Sequence, residues 1–168
     1  MTASIQVDIV QAHNEEDIRQ IASLYPAKTA DEQEEMVQRS LLPELAEQEQ
    51  GRRTILLVRW KDRVIGTVQL VWDSDDDPVL QASDTAIIHH LRTHPDFRGR
   101  GVGKQLVDIA KQLVLSRGMA RLTLGVEPGN HRARRFYESL GFEQFGQYQG
   151  EQGEHILAME HRLGLSHS

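Results

Sequence analysis

The chain switches repeatedly between two spacings of apolar residues. Alternating apolar and polar positions are typical of β-strands, and apolar positions three and four residues apart are typical of amphipathic helices. Alternating or β-rich runs predict strands near residues 5–9, 54–60, 64–72, 85–93, 121–126, 143–149 and 154–162. Helical spacing predicts helices near residues 15–25, 31–50, 102–114 and 130–140.

Capping and turn residues set the ends of several of these elements. Asn14 precedes three acidic residues, which is a typical helix start, and Gly118 is well placed to end the third helix. Pro43 should kink or split the long second helix. Residues 61–63 and 150–153 predict the turns of two hairpins. With a central β-α-β-α-β order, the pattern predicts an α/β or α+β fold with a mixed sheet, in a single domain over residues 1–168.

Composition excludes several classes of protein. The 168 residues are 39% hydrophobic and 26% charged, which is the balance of a globular chain. The absence of cysteine excludes disulfide frameworks, thiolate metal sites and cysteine nucleophiles. Apolar runs such as residues 54–58 are too short to span a bilayer, and the N-terminus carries no signal-peptide pattern. We therefore expect a cytoplasmic protein that does not insert into membranes.

Charge is distributed unevenly along the chain. Residues 1–84 contain 8 basic and 17 acidic side chains, whereas residues 85–168 contain 11 basic and 8 acidic ones. The net charge of −6 and the absence of basic runs with interleaved aromatic residues argue against a nucleic-acid partner. The acidic first half favours a cationic small-molecule ligand.

The strongest chemical signal lies between a predicted strand and a predicted helix. There the chain reads Arg98-Gly99-Arg100-Gly101-Val102-Gly103-Lys104. Glycines allow backbone N–H groups to approach an anion closely, and a helix N-terminus adds positive potential. The spacing fits neither a P-loop nor a Rossmann fingerprint. The segment therefore predicts a pyrophosphate-binding turn of another type.

A second motif follows about thirty residues later and completes a family resemblance. It reads Asn130-x-x-Ala133-x-x-Phe136-Tyr137-x-x-x-Gly141-Phe142. Together with Arg98-x-x-Gly101-x-Gly103, it resembles the two signatures of the GNAT superfamily, the acyl-CoA-dependent N-acetyltransferases. The specific resemblance covers roughly residues 85–145, and the order of strands and helices agrees over the whole chain.

The resemblance implies a fold and a co-substrate. The fold is a mostly antiparallel sheet flanked by helices, whose strands near 85–93 and 121–126 splay apart to form a cleft for acetyl-CoA. Residues 85–168 would be the acetyl-CoA-binding half and residues 1–84 the acceptor-side half. The backbone around Leu91, Arg92 and Thr93 would pair with the pantetheine arm. The turn at 98–104 would hold the pyrophosphate, Asn130 would contact the pantetheine, and Arg134 would reach a phosphate.

The resemblance also suggests an acid and a base. Tyr137 matches the family tyrosine that lies by the CoA sulfur and can protonate the leaving thiolate. His89 stands nine residues before Arg98, where some members carry a catalytic histidine. Regular alternation places His89 and its neighbour His90 on opposite faces, but a β-bulge would exchange the faces, so His90 and a water relay remain alternatives. For the same reason His89 and His90 cannot easily share a metal ion, and we expect no metal site.

The expected activity is N-acetyl transfer. An amine would attack the thioester of acetyl-CoA directly, without a covalent enzyme intermediate. The acceptor amine is open, with a cationic amine favoured by the acidic first half. Two alternatives remain: transfer of a longer acyl group, and a non-catalytic acyl-CoA sensor with the same fold. A homodimer is one option for the assembly.

Overall fold

The structure of the protein is a computed structural model that describes residues 5–26 and 29–164. Its strands are β1 (Asp8–Gln11), β2 (Arg53–Trp60), β3 (Arg63–Val71), β4 (Thr85–Thr93), β5 (Arg121–Val126), β6 (Glu143–Gln149) and β7 (His155–Arg162). Its α-helices are α1 (Glu15–Ala22), α2 (Ala30–Met36), α3 (Leu42–Glu49), α4 (Val102–Ser116) and α5 (His131–Ser139). A π-helical turn at Val37–Leu41 joins α2 to α3, and a 3₁₀ turn at Pro95–Phe97 follows β4. No helix in the described ranges is long and apolar enough to cross a bilayer.

The strands form a mixed sheet, as the sequence predicts. Their hydrogen-bonded order is β1-β2-β3-β4-β5-β7-β6. The pairs β1–β2, β2–β3, β5–β7 and β6–β7 are antiparallel, whereas β4 and β5 run parallel. A parallel pair needs a crossover connection, and α4 supplies it between these two strands. The sheet is therefore mostly antiparallel with one parallel pair.

The first compact unit contains Met1–Trp72 and His89–Ile109. Its apolar core is formed by residues of α1, the π-helical turn and β2, with Ile18, Ile21, Leu41, Ile55 and Leu57 almost completely buried. In α1 the apolar residues are buried, whereas Glu15 and Glu16 are exposed.

The second compact unit contains Asp73–Ile88 and Ala110–Ser168. Its buried residues include consecutive positions of β5 and β7, such as Leu122 and Leu124 on either side of the buried Thr123, and Phe142 after α5. The β4–β5 register in this unit is Thr85↔Arg121, Ala86↔Leu122 and Ile87↔Thr123. The hydroxyl of Thr123 donates to the carbonyl of Leu80 at 2.8 Å and so satisfies a buried polar group.

Most predicted element boundaries agree with the structure, and one does not. The second helix is split at the π-helical turn, and Pro43 lies in the first turn of α3, where its missing N–H is tolerated. Lys61 and Asp62 both have positive φ angles in the tight β2–β3 turn. The first strand, predicted at 5–9, instead spans Asp8–Gln11. Its pairing with β2, from Asp8↔Arg59 to Gln11↔Leu56, decides where it begins and ends.

Gly66 of β3 allows a close approach in the first unit. A Cβ at this position would lie 3.0 Å from Val102 Cγ1, 3.2 Å from Val58 Cγ2 and 3.3 Å from the Arg92 carbonyl oxygen. We expect Gly66→Ala to lower the free energy of unfolding by about 1–3 kcal/mol, because an inserted methyl group overpacks the contact. Urea denaturation followed by circular dichroism measures this difference.

Gly146 of β6 provides the matched control, because nothing lies within 4 Å of a Cβ at that position. Gly146→Ala should change the free energy of unfolding by no more than about 0.5–1 kcal/mol. Equal effects of the two substitutions would show that the contact at Gly66 is not tight.

Candidate active site

The glycine-rich turn follows β4 through a well-anchored 3₁₀ turn. His94 caps that turn by accepting a hydrogen bond from the Asp96 N–H at Nδ1, at 3.1 Å. Phe97 is buried, and its ring meets the Trp60 ring edge-on at 5.1 Å between centroids. Gly99 and Gly101 then adopt φ angles of +77° and +82°, which favour glycine because other residues clash there. The turn thus has the shape that its glycines predict.

The glycine-rich turn leads directly into the N-terminus of α4. Gln105 donates to the Gly101 carbonyl at 3.0 Å, which is the first hydrogen bond of the helical ladder. The N–H groups of Val102, Gly103 and Lys104 precede that bond, so they have no partner within the helix. Such N–H groups, together with the helix dipole, favour an anion such as a phosphate.

Three basic residues lie near this helix N-terminus along the chain. Arg98 and Arg100 are exposed, and Lys104 pairs with Asp108 at 3.1 Å one helical turn further on. Arg98 and Arg100 add formal positive charge to the segment, whereas the charge of Lys104 is balanced by that of Asp108. The predicted pyrophosphate-binding residues therefore lie together on one continuous segment.

The end of β4 packs tightly in the first unit. Arg92 lies over the ring of Tyr25, with 4.2 Å between Cζ and the ring centroid, which is a cation–π contact. Leu91 and Thr93 are half-buried, and the His94 N–H donates to the Ile65 carbonyl at 2.8 Å. Pairing of this backbone with a pantetheine arm stays a prediction.

The two neighbouring histidines of β4 have different partners. His90 has a φ of +56°, an irregularity of the kind that a β-bulge produces, so the regular alternation of faces is interrupted. Nδ1 of His89 lies 3.5 Å from Nη1 of Arg53. Nε2 of His90 lies 3.2 Å from Oε2 of Glu44 on α3. One histidine thus faces a permanent cation and the other a carboxylate.

A polar network connects these two partners. The side chain of Arg53 is only 9% exposed, and it binds Glu47 at 2.7 Å and donates to Gln69 Oε1 at 2.6 Å. Gln69 in turn donates to Glu44 Oε1 at 2.9 Å. Burial tends to raise the pKa of Glu44, but hydrogen bonds from His90 and Gln69 and the charges of His90 and Arg53 outweigh it, so the pKa is lowered. Glu44 is therefore ionised at neutral pH.

Sequence reasoning missed Glu44, Arg53 and Gln69 as parts of this site. Glu44 lies in an acid-rich helix where nothing distinguishes it from its neighbours, and Gln69 is one polar residue in a largely buried strand. Arg53 gives the one local signal, because arginine is rarely buried unless it is paired. The residues are brought together by the pairing of β2 with β3 and by the position of α3.

The remaining predicted residues belong to the second unit. Asn130 caps α5, because its Oδ1 accepts a hydrogen bond from the Ala133 N–H at 3.1 Å. Arg134 lies one turn further along the same helix and is half-buried. Tyr137 packs edge-on against Phe136 at 5.3 Å and Phe142 at 5.6 Å between ring centroids.

The environment of Tyr137 keeps its hydroxyl protonated. Burial raises the pKa of Tyr137 to about 12, because a phenolate would lose its hydration there. A neutral phenol can donate a proton or a hydrogen bond at physiological pH. Both the packing role and the acid role predicted from the sequence are compatible with this geometry.

No group of three potential metal ligands occurs among residues 5–26 and 29–164. His89 and His90, the adjacent candidates, are engaged by Arg53 and Glu44 as described above.

Comparison with known families decides the classification. A model of the acetyltransferase (GNAT) family matches residues 16–142, which is most of the chain. The chain belongs to the GNAT acetyltransferase family. The match includes the β4 histidines, the glycine-rich turn and both predicted signatures, which extend to Phe142.

Curated relatives match this GNAT chain over part of their length. A mycothiol acetyltransferase from Beutenbergia cavernae is 36% identical over 107 residues, which are 56% of this chain and 35% of that protein. An uncharacterised N-acetyltransferase from Methanocaldococcus jannaschii is 38% identical over 65 residues, 39% of this chain and 29% of that protein. The chain thus spans about a third of the length of these relatives.

Solved structures share the fold of the GNAT chain over almost its whole length. The PaiA N-acetyltransferase of Thermoplasma acidophilum, in complex with coenzyme A, matches with a TM-score of 0.70 and 16% identity. That match covers 94% of this chain and 99% of the other. An aminoglycoside 6'-acetyltransferase of type Ii matches with a TM-score of 0.73 and 18% identity, over 95% and 99% of the two chains. At these identities the likeness shows the fold, and it confirms the fold predicted from the sequence.

The tyrosines give a pH-dependent prediction. Burial raises the pKa of Tyr137 to about 12, and Tyr25, also chiefly through burial, rises to about 12, against a usual value of 10. The pKa of Tyr148 is raised as well, by burial and nearby carboxylates. The absorbance rise at 295 nm that reports tyrosinate should therefore occur at higher pH in the folded protein than in the chain unfolded in urea.

The sign of the accompanying stability change follows from the same shifts. Because the folded-state pKa exceeds the unfolded one, the stabilising contribution is complete below pH 10 and is lost as the pH rises towards 12. Tyr137→Phe should remove part of the late absorbance rise. Coincident titration curves for folded and unfolded protein would contradict the prediction.

Proposed function

We propose that this GNAT chain is an N-acetyltransferase that moves the acetyl group of acetyl-CoA to an amine. The observation that carries the proposal is the glycine-rich turn at 98–104, which leads into α4 with N–H groups that have no partner within the helix and which contains Arg98, Arg100 and Lys104. Membership of the GNAT family and the fold shared with acetyltransferases support the same activity. The acidic first half of the chain favours a cationic amine as the acceptor.

The binding roles follow the order of the sequence. The N–H groups of residues 99–104 hold the pyrophosphate of CoA, and Arg98, Arg100 and Lys104 neutralise its charge. The backbone at Leu91, Arg92 and Thr93 pairs with the pantetheine arm. Asn130, whose Oδ1 caps α5, offers its amide N–H₂ group to the pantetheine, and Arg134 binds a phosphate.

The reaction needs one proton donor and one proton acceptor. The amine nitrogen attacks the carbonyl carbon of the thioester, a C–N bond forms, and the C–S bond breaks to release CoA thiolate. Tyr137, kept protonated by burial, donates a proton to the sulfur as the C–S bond breaks, and the phenolate regains a proton from solvent before the next turnover. A histidine of β4 accepts the proton that the nitrogen loses, with His89 the residue favoured by the sequence and His90 its neighbour.

Turnover of acetyl-CoA with a panel of amines tests the proposal. The panel contains a polyamine, an aminoglycoside, an aromatic amine, amino acids and a peptide with a free N-terminus. A thiol reagent will report released CoA alone, because the chain has no cysteine. We expect amine-dependent thiol release, and an acetylated product by mass spectrometry. If the protein binds acetyl-CoA but releases no CoA thiol with any of these amines, the result would favour the non-catalytic sensor.

Gly103→Glu is the matching inactive variant. A carboxylate in the first turn of a helix interacts favourably with the helix dipole, so the variant should still fold. The same carboxylate should repel the phosphates of CoA. Calorimetry with CoA should show at least roughly tenfold weaker binding, since like charges in contact cost several kcal/mol.

Gln112→Glu adds the same charge at an exposed position further along α4 and should leave CoA binding unchanged. Equal affinities of the Gly103→Glu variant and the native protein would exclude the turn as the pyrophosphate site.

Tyr137→Phe tests the acid. The phenylalanine ring keeps the contacts with Phe136 and Phe142, so CoA affinity should be preserved. Loss of the donor should lower the single-turnover rate of acetyl transfer by roughly 10²-fold, the lower end of acid catalysis. Single-turnover measurement isolates this step from product release. A native rate in the variant would make Tyr137 a packing residue.

A further inference from the structure

We infer that Glu44 is a positioning residue that orients His90 as the proton acceptor of the acetyl transfer. The inference deepens the proposed function and rests on it. It follows from the separate partners of the two β4 histidines, and each step below uses contacts within the first compact unit.

The contact with Glu44 fixes which nitrogen of His90 carries hydrogen. The carboxylate of Glu44 is ionised and can only accept, so His90 Nε2, 3.2 Å away, must donate. In a neutral imidazole the other nitrogen, Nδ1, then holds the lone pair. The side chain of His90 is 38% exposed, and Glu44 is its hydrogen-bond partner within the described ranges. His90 therefore carries the lone pair of Nδ1 on a partly exposed side chain.

The contact with Arg53 has the opposite effect on His89. A guanidinium has only donors, so the lone pair of His89 Nδ1 points towards Nη1 at 3.5 Å. A proton added at Nδ1 would face a permanent positive charge at that distance. The contacts thus place a cation beside Nδ1 of His89 and a carboxylate beside Nε2 of His90.

The polar network holds Glu44 in place for this role. Gln69 donates to its Oε1 at 2.9 Å, which leaves Oε2 to His90, and the Glu44 side chain is only 14% exposed. Arg53, bound to Glu47, fixes Gln69 from the other side. A carboxylate with both oxygens engaged has little freedom to turn away from the imidazole.

Other groups around His90 complete its electrostatic surroundings. The Tyr25 ring meets the His90 ring edge-on at 6.3 Å, and the His89 ring does so at 5.6 Å. The guanidinium of Arg92 lies over the ring of Tyr25. Tyr25 is neutral at physiological pH, because its pKa is about 12. Glu44 is therefore the anion in direct contact with His90. The nearby cations are Arg53, which contacts His89, and Arg92, which contacts Tyr25.

The proton balance of the step is simple. As the C–N bond forms, the nitrogen of the acceptor becomes positively charged and its N–H proton moves to His90 Nδ1. The resulting imidazolium keeps its Nε2–H directed at the Glu44 carboxylate, which stabilises the charge where it develops. Solvent removes the proton from Nδ1 before the next turnover.

Four variants assayed over a pH range test the inference. The assay is thiol release from acetyl-CoA with the most active amine of the panel. Glu44→Gln keeps a hydrogen-bond acceptor but removes the charge, and Glu49→Gln makes the same change at an exposed position of the same helix. His90→Gln and His89→Gln compare the two histidines directly.

For Glu44→Gln we expect kcat/KM to fall about tenfold or more, a part of the ~10²–10⁴-fold that a general base contributes. The acidic limb of its pH profile should move to lower pH, because the protonated imidazole loses its counter-charge. His90→Gln should abolish that limb, whereas Glu49→Gln should retain it. Loss of the limb in His89→Gln and its retention in His90→Gln would assign the proton acceptor to His89 and overturn the inference. The KM for acetyl-CoA should stay the same in Glu44→Gln.

Nitrogen-15 spectra of the imidazole rings give a readout that needs no acceptor. Neutral His90 should be in the Nε2–H form in the native protein, and Glu44→Ala should shift it towards a mixture of tautomers. His90→Gln identifies the signals. This measurement tests the orienting contact even if no amine in the panel is a substrate.

The outcomes separate the two proposals. Absence of thiol release with every amine, with the Nε2–H tautomer intact, would overturn the proposed function but not the orienting role of Glu44. An active native protein whose Glu44→Gln variant matches Glu49→Gln in rate and profile would overturn the inference. A neutral His90 protonated at Nδ1 would also overturn it.

Discussion

One buried positive charge organises the polar interior of the first unit. The guanidinium of Arg53 cannot lose its charge, and an unpaired ion in such a place costs several kcal/mol. Glu47 supplies the counter-charge. Gln69 accepts a hydrogen bond from Arg53 and donates one to Glu44. The network therefore links α3, β2, β3 and β4, and its last member is the carboxylate that holds His90.

Two local departures from regular backbone prepare the chemistry. The positive φ of His90 costs free energy in a residue that has a Cβ, and it persists because the surrounding contacts hold it. It lets two adjacent histidines of one strand meet partners of opposite charge. The positive φ angles of Gly99 and Gly101 carry no such cost, and they turn the chain so that α4 begins with unpaired N–H groups.

The proposed acid and base differ through their environments. Tyr137 is half-buried and packs against two aromatic rings, and the loss of hydration raises the pKa of its hydroxyl, so the proton is retained at physiological pH. His90 is partly exposed, and its Nε2 lies 3.2 Å from the ionised carboxylate of Glu44. Opposite environments of this kind are the general means by which two titratable groups take different roles at one pH. In this chain, α5 and β4 each supply one of them.

The sequence by itself determined the element order, the glycine-rich turn and the family resemblance, because these depend on neighbouring residues. Period-2 and helical spacings are local, and only glycine tolerates the φ angles of the turn. The start of β1 and the partners of the histidines depended on the tertiary structure. Glu44 and His90 are 46 residues apart, and Arg53 and Gln69 are 16 apart. Strand pairing and helix packing bring such residues together, and local periodicity carries no information about which distant charge each histidine will meet.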